Sequence, residues 1–420
     1  MTSTIDYPRR TEGVGGALVR RVKLAVVLEA TTGGTRRHLY LLLEKIDLRR
    51  FEVTLFYSAR RGPRFIEDLA DFRERGIRCE EIPMTREISP VADAAAFFRL
   101  CAALRGGGFD IVHLHSSKAG FLGRLACLFA RRPCVIYSPH SFAFQYRQDG
   151  LKGHFYLWLE RLAGLFHDHF LFVSEDERLI ARRHRLAPER TMALPVLPNA
   201  LCHEKWSQAV CERRRRKLRG RLSIGEDHRI VGMVAHFRPQ KGHRHLIEAL
   251  PRVVAEQPST RFLLIGDGPL LASAKARVRE LDLEAHVLFT GALDDPLPYY
   301  DLMDVFVLTS LWEGHPYAIL EAFARGLPVV VTRVPGLRDL VVPGENGLTI
   351  PIGDSAALAE ALLRLLRDDT LRGTLARQAK ETFARSPRLD AWASEYEAIY
   401  WRALESSRPA RFHAVVSQEG

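Results

Sequence analysis

Ser310-Leu-Trp-Glu-Gly-His-Pro-Tyr-Ala-Ile-Leu-Glu-Ala-Phe-Ala-Arg-Gly-Leu-Pro-Val-Val-Val-Thr332 reads as a loop, a helix, a turn and a strand in succession. An apolar run, Val305–Leu308, precedes it and a Val-rich run closes it, both short enough for buried parallel strands. Gly314 allows a tight bend, and Pro316 suits the first helical position, where its missing N–H costs nothing. The helix is predicted to run to about Arg325 and to stop at Gly326, before Pro328 opens the strand. A helix start at the carboxyl end of a parallel strand is a ready anion site, because its first N–H groups, here from Tyr317 onward, lack intrahelical partners. Glu313 lies before that start and Glu321 one to two turns inside it, placed to hold hydroxyls on either side of a bound phosphate.

The same alternation extends in both directions. Strands are predicted at Val22–Leu28, Glu52–Tyr57, Asp110–Leu114, Cys134–Ser138 and His169–Val173, with helices at Thr35–Lys45, Ala92–Arg105 and Lys118–Ala130. Further on, strands recur at Arg229–Ala235, Phe262–Ile265, Val287–Phe289, Val305–Leu308 and Pro328–Thr332. The chain is therefore α/β in two halves, 21–205 and 229–386, joined by a basic linker, 206–228, that holds Glu212-Arg-Arg-Arg-Arg-Lys-Leu-Arg-Gly-Arg221. A helix over 387–405 ends the folded part, and 1–20 and 406–420 read as loose tails.

With 420 residues, of which 47% are hydrophobic and 26% charged, the chain has the composition of a soluble globular protein of more than one domain. The net charge of +11 favours acidic partners such as nucleotide sugars, lipid phosphates or anionic membranes. Nucleic acid is not expected, since neither zinc-finger spacing nor an aromatic RNA-binding signature is present. The six cysteines are scattered without a C-x-x-C pair, which fits reduced thiols in a cytoplasmic protein. His167-Asp168-His169 reads as surface and core histidines, and no metal is expected. The amino terminus lacks the apolar run of a signal peptide, and the longest apolar stretches are too short to span a bilayer. Any membrane contact is thus peripheral, at the inner face of the plasma membrane. Arg182-Arg183-His184-Arg185 and Arg213–Lys217 are the basic clusters available to anionic headgroups, with solvated faces as the alternative.

The 310–332 stretch resembles the donor-site signature of glycosyltransferase family 4, whose members are retaining enzymes of GT-B fold that use nucleotide sugars. By that resemblance Glu313 contacts the donor sugar and Glu321 the ribose hydroxyls, with His315, Pro316 and Tyr317 lining the same site. His236-Phe-Arg-Pro-Gln-Lys-Gly242 resembles the family's Arg-x-x-Lys-Gly diphosphate clamp, which gives Arg238 and Lys241 to the departing diphosphate. Read without the resemblance, both are ordinary solvated loop charges. Gly266-Asp-Gly268-Pro269 matches the family's Gly-x-Gly-Pro loop, and Leu293 falls in the stretch that borders the base. Asp339 stands where the family usually carries Glu, and Asn199-Ala200 departs from the usual Asn-Gly.

In the first half, Gly33 and Gly34 resemble the family's Gly-Gly loop near the transfer site. His115, Ser116 and Lys118, together with His140, resemble acceptor and sugar contacts of the members that build bacterial surface polysaccharides on lipid-diphosphate carriers. The resemblance implies a GT-B fold: two Rossmann-like parallel-sheet domains facing across a cleft, with the C-terminal helix crossing back onto the first. It also implies transfer from a nucleotide sugar to a glycan or lipid-linked hydroxyl with retention, without metal or other cofactor. A nucleotide-sugar epimerase of the same fold and a non-catalytic nucleotide-sugar-binding subunit are the competing readings. The sequence leaves the donor, the acceptor and the oligomeric state open.

Overall fold

Most strands are short, Val/Ile/Leu-rich and followed by a helix, a pattern that favours parallel pairing, and they form two six-stranded parallel sheets. The structure, a computed structural model, describes residues 20–62, 65–130, 133–146, 150–202 and 208–408. Most of both predicted tails, and residues 203–207 where the predicted first half meets the predicted linker, lie outside the described residues. The chain divides into two compact units: 1–173 with 178–197 and 390–420, and 174–177 with 198–389.

In the first unit the strands are β1 (Val22–Leu28), β2 (Phe51–Tyr57), β3 (Arg78–Glu81), β4 (Ile111–His115), β5 (Cys134–Ser138) and β6 (His169–Phe170), in the order β3-β2-β1-β4-β5-β6. The helices are α1 (Gly33–Lys45), α2 (Phe65–Glu74), α3 (Pro90–Gly107), α4 (Ser117–Cys127), α5 (Leu151–Ala163) and α6 (Glu175–Arg183). Right-handed crossovers put α1 and α2 on one face and α3, α4 and α5 on the other. The core between α3–α5 and the sheet is built from residues such as Leu100, Leu104, Val112, Leu122 and Tyr137.

The second unit begins with α7 (Gln208–Arg221), followed by β7 (Arg229–Val234), α8 (His243–Glu256), β8 (Thr260–Ile265), α9 (Leu271–Glu280) and β9 (Val287–Gly291). It continues through α10 (Leu297–Tyr300), β10 (Val305–Leu308), α11 (Tyr317–Ala324), β11 (Val329–Thr332), β12 (Gly347–Ile350), α12 (Ser355–Arg367) and α13 (Asp369–Ala384). Its strand order is β12-β11-β10-β7-β8-β9.

The last helix, α14 (Leu389–Ser407), folds mainly with the first unit. Trp392, Tyr396 and Tyr400 recur every four residues, so they share one face, and all three are fully buried. Tyr396 Oη lies 2.9 Å from His38 Nε2 on α1, and Tyr400 Oη 2.8 Å from His113 Nδ1 on β4. Arg50 donates to Glu397 at 2.7 Å.

Three expectations change. The basic stretch is helix α7 rather than a linker, because Arg, Lys and Glu are good helix formers and Leu218 gives the helix a buried anchor. Two edge strands escaped the reading: β3 is Arg-Cys-Glu-Glu and largely exposed, so it lacks apolar runs, and β12 is short. Pro316 is the extended residue that caps α11, with φ −73° and ψ 125°, and the helix starts at Tyr317.

Candidate functional site

In the second unit the strand order reverses between β7 and β10, so the loops leaving their carboxyl ends diverge around a crevice, the usual ligand site of such sheets. Those loops are stitched together. Leu311 N donates to Gln240 O at 2.7 Å, and Gln240 Nε2 to Trp312 O at 3.1 Å. Thr309 Oγ1 donates to Lys241 O at 3.0 Å. Gly242 adopts φ +63°, and a Cβ there would lie 2.1 Å from Thr309 O, so a larger residue would force the loops apart. The Gly266–Gly268 loop after β8 closes on the same strand end: a Cβ at Gly268 would meet Phe237 O at 2.7 Å.

On this frame two of the sequence-predicted charges, Lys241 and Glu313, meet. Glu313 is almost fully buried, and its Oε1 accepts from Lys241 Nζ at 2.5 Å and from Ser310 Oγ at 2.6 Å. Lys241 keeps a fifth of its side chain exposed. An ammonium has three donors, so holding Glu313 leaves capacity for a second oxygen ligand. Arg238 is half-buried and extended at the start of the turn Pro239–Lys241. Beneath them His243 stacks on Phe237 at 3.9 Å between centroids. Its pKa is pushed down to about 3, first by burial and then by Lys241 and His236, so it stays neutral and the positive charge belongs to Arg238 and Lys241. Glu321 is buried on α11, and its Oε2 accepts from Tyr300 Oη at 2.6 Å. His315 is buried and its carbonyl accepts from Asn199 Nδ2 at 2.6 Å. Tyr317 opens α11, and Leu293 sits half-buried just beyond β9.

Both departures from the family pattern have a structural account. Asp339 accepts from Glu175 N at 2.8 Å, and burial raises its pKa. Asn199 and Ala200 have no positive φ, so glycine is not needed there.

In the first unit the equivalent reversal lies between β1 and β4. Gly33 and Gly34 begin α1 after β1, exposed, with Gly33 at φ +63°. Ser116 after β4 has φ +72°, and His140 and Ser141 after β5 have φ +53° and +93°. Non-glycine residues rarely hold such angles, and they cluster where a site over-determines the backbone. His115 Nδ1 lies 2.9 Å from His140 Nε2, with the rings stacked 5.3 Å apart. Burial, then repulsion from His113 and His38 for His115 and from His38 and His115 for His140, pushes both pKa values well down, so both are neutral. His115 Nε2 and Ser116 Oγ are buried with no hydrogen-bond partner, which is costly unless a ligand supplies one.

Lys118 departs from its predicted role. Its Nζ lies 2.6 Å from Asp93 Oδ2 and donates to Glu87 O at 3.1 Å, so the ammonium ties α4 to α3 and is not offered to an acceptor. Sequence reasoning also missed His38, Tyr300, Ser310 and Asp176. Ser310 stood in the quoted motif but carried no role; it orients Glu313. Asp176 accepts from Gly336 N at 2.7 Å and pairs with Arg338.

Among the described residues, one group could hold a metal: His38, His115 and His140, whose ring nitrogens lie within 4.8 Å of one another. His38 Nε2 is engaged with Tyr396, and one His115 nitrogen with His140. The five cysteines whose side chains are described are free thiols.

Comparison with known proteins agrees with this geometry. Residues 214–382 match the family described as Glycosyl transferases group 1, and residues 33–196 the Glycosyl transferase 4-like domain. An Escherichia coli protein named UDP-Gal:alpha-D-GlcNAc-diphosphoundecaprenol alpha-1,3-galactosyltransferase is 30% identical over 358 residues, 84% of this chain and 89% of that one. The Staphylococcus aureus capsular polysaccharide biosynthesis glycosyltransferase CapM is 27% identical, covering 77% of this chain and 83% of its own. Among solved structures, Anabaena Alr3699/HepE in complex with UDP and glucose superposes with a TM-score of 0.74 at 19% identity, covering 90% of this chain and 99% of that one. Sucrose-phosphate synthase from Thermosynechococcus elongatus gives 0.75 at 21% identity, over 92% of this chain and all of that one. The fold is thus GT-B, and the chain belongs to glycosyltransferase family 4, the group 1 glycosyl transferases.

Proposed function

We propose that this glycosyltransferase moves a sugar from a nucleoside-diphosphate sugar to a hydroxyl of a glycan or lipid-diphosphate-linked acceptor, with retention of configuration, in cell-surface polysaccharide assembly. The observation that carries the reading is the Lys241–Glu313–Ser310 chain at the carboxyl ends of β7 and β10, with Arg238 three residues before Lys241 on the same loop. Two permanent cations suit a departing diphosphate, and the start of α11 adds aligned N–H dipoles. As the bond from C1 to the diphosphate oxygen loosens, positive charge grows on the sugar ring, and the Glu313 carboxylate favours it. Glu321, fixed by Tyr300, takes the ribose hydroxyls. The departing phosphate oxygen accepts the proton of the attacking hydroxyl, so no separate protein base is required.

His115, with its unmatched Nε2, and His140 receive sugar or acceptor hydroxyls. We read the three-histidine group as a hydrogen-bond network and the reaction as metal-independent. The Escherichia coli relative, by its name, acts on a diphosphoundecaprenol-linked sugar, which supports a lipid-linked acceptor and work at the cytoplasmic face of a membrane.

A panel of nucleotide sugars, screened first by thermal shift and then by transfer to a lipid-linked acceptor, tests the reading. One donor is expected to stabilise the protein and turn over, with the product keeping its anomeric configuration and chelators having no effect. Nucleotide binding without turnover on any donor would leave a binding subunit instead. Inversion, or loss of activity on chelation, would overturn the mechanism.

A further inference from the structure

Exposed apolar side chains are not spread evenly over this protein. Leu151, Phe155, Trp158, Leu162 and Leu165 are 90%, 47%, 56%, 36% and 66% exposed. Their spacing of four, three, four and three residues puts them on one outward stripe of α5 and its end. The fold does not need this stripe. Tyr156 and Leu157, on the opposite face, do the packing against the core, and Phe155 and Trp158 stack on each other in solvent at 6.2 Å. The same layer adds Phe98 on α3 and Phe129 just after α4, 68% and 60% exposed. Monomeric surfaces seldom gather this much apolar area without a partner.

Charge selects the partner. On α3, α4 and α5 the exposed charged side chains are Arg99, Arg105, Lys152 and Arg161, all basic. The acids on these helices are spent inward: Asp93 pairs with Lys118 at 2.6 Å, and buried Glu160 with Arg124 at 2.7 Å. A second copy docked by a two-fold axis would set these cations against themselves, with no exposed acid on the helices to answer them. An anionic bilayer answers both features at once, taking the aromatic and leucine side chains at its headgroup boundary and the cations at its surface.

The basic clusters singled out in the sequence are poorer candidates. Arg182 is paired with Glu189 at 3.1 Å, and the described side chains of α7 expose Arg213, Arg214, Arg216, Lys217 and Arg221 without a large exposed hydrophobic among them.

We infer that the outer face of α3, α4 and α5 is a docking surface for an anionic lipid bilayer, with Phe155 and Trp158 as its inserting residues. The choice of a bilayer over an acidic protein rests on the lipid-linked acceptor proposed above. The geometry of the patch does not depend on it.

Flotation of the full chain with phosphatidylglycerol-containing vesicles, against pure phosphatidylcholine vesicles, tests this without any activity readout. The wild-type protein is expected to float with the anionic vesicles at low salt and to lose binding at high salt. The Phe155→Ser/Trp158→Ser variant is expected to bind about tenfold less, and Arg99→Glu/Lys152→Glu to lose the preference for anionic lipid. Both alter exposed positions, so unchanged thermal melting confirms folding. Flotation equal to wild type in both variants would overturn the proposal. So would absence of vesicle binding, or an apolar variant that changes only the sedimenting mass, which would assign the face to a second copy. Flotation without sugar transfer would count against the proposed reaction alone, and transfer to a soluble acceptor without flotation against the surface alone.

Discussion

Read from the proper edge, both sheets run third, second, first, fourth, fifth and sixth strand, yet the two reversal points carry opposite chemistry. In the second unit the loops are laced by backbone hydrogen bonds and present Lys241, Arg238 and the buried Glu313. In the first, the corresponding strand ends hold His115 and His140, neutral and buried, on backbone with positive φ. One topology thus supports a crevice built on fixed cations and one built on neutral histidines. The strand order sets where a ligand sits, and the loop residues set which ligand it is. A diphosphate needs fixed cations, whereas hydroxyls need neutral groups that both donate and accept.

The largest expected effect lies on the charged side. Lys241→Ala should lower the transfer rate roughly 10²- to 10³-fold, as loss of a group aimed at developing charge does. His140→Ala should act mainly on KM for the acceptor. Steady-state kinetics against both substrates checks this, and comparable kcat losses in the two variants would erase the contrast drawn between the units.

Next in size is Lys118, where the sequence expectation and the structure part. Lys118→Met strands the partly buried Asp93 carboxylate, which should cost the first unit about 1–3 kcal/mol in denaturant unfolding and leave acceptor KM unchanged. A rise in KM with unchanged stability would restore the acceptor role.

The remaining effect is on pH. His113, His115 and His140 have folded-state pKa values well below the ordinary 6.5. Below 6.5 the unfolded chain binds more protons than the folded one, so stability is full above that pH and is lost as pH falls. Each histidine should take about 1 kcal/mol per pH unit from the first unit. Melting curves between neutral and mildly acid pH should show this unit weakening first.

What was legible in the sequence follows the same division. The buried strands announced themselves as Val/Ile/Leu runs, and the loops at the second sheet's reversal point as Gly, Arg, Lys and Glu at set spacing. Edge strand β3 was not legible, since a polar Arg-Cys-Glu-Glu edge has no apolar period. Nor was the basic segment 208–221 as a helix, because its charge suggested a linker more strongly than its propensity suggested α7. The histidine network depends on pairs that only the fold brings together, such as His38 with Tyr396, 358 residues apart. Lys118 matched a motif, but its role was decided by Asp93 on the neighbouring helix.

The most direct test is calorimetric titration of a nucleoside diphosphate into the wild-type chain, Arg238→Ala/Lys241→Ala and His115→Ala. With two charge-assisted contacts removed, the cation variant should bind at least about a hundredfold more weakly, while His115→Ala binds as the wild type does. Undiminished affinity in the cation variant would contradict the claim that these two side chains grip the diphosphate.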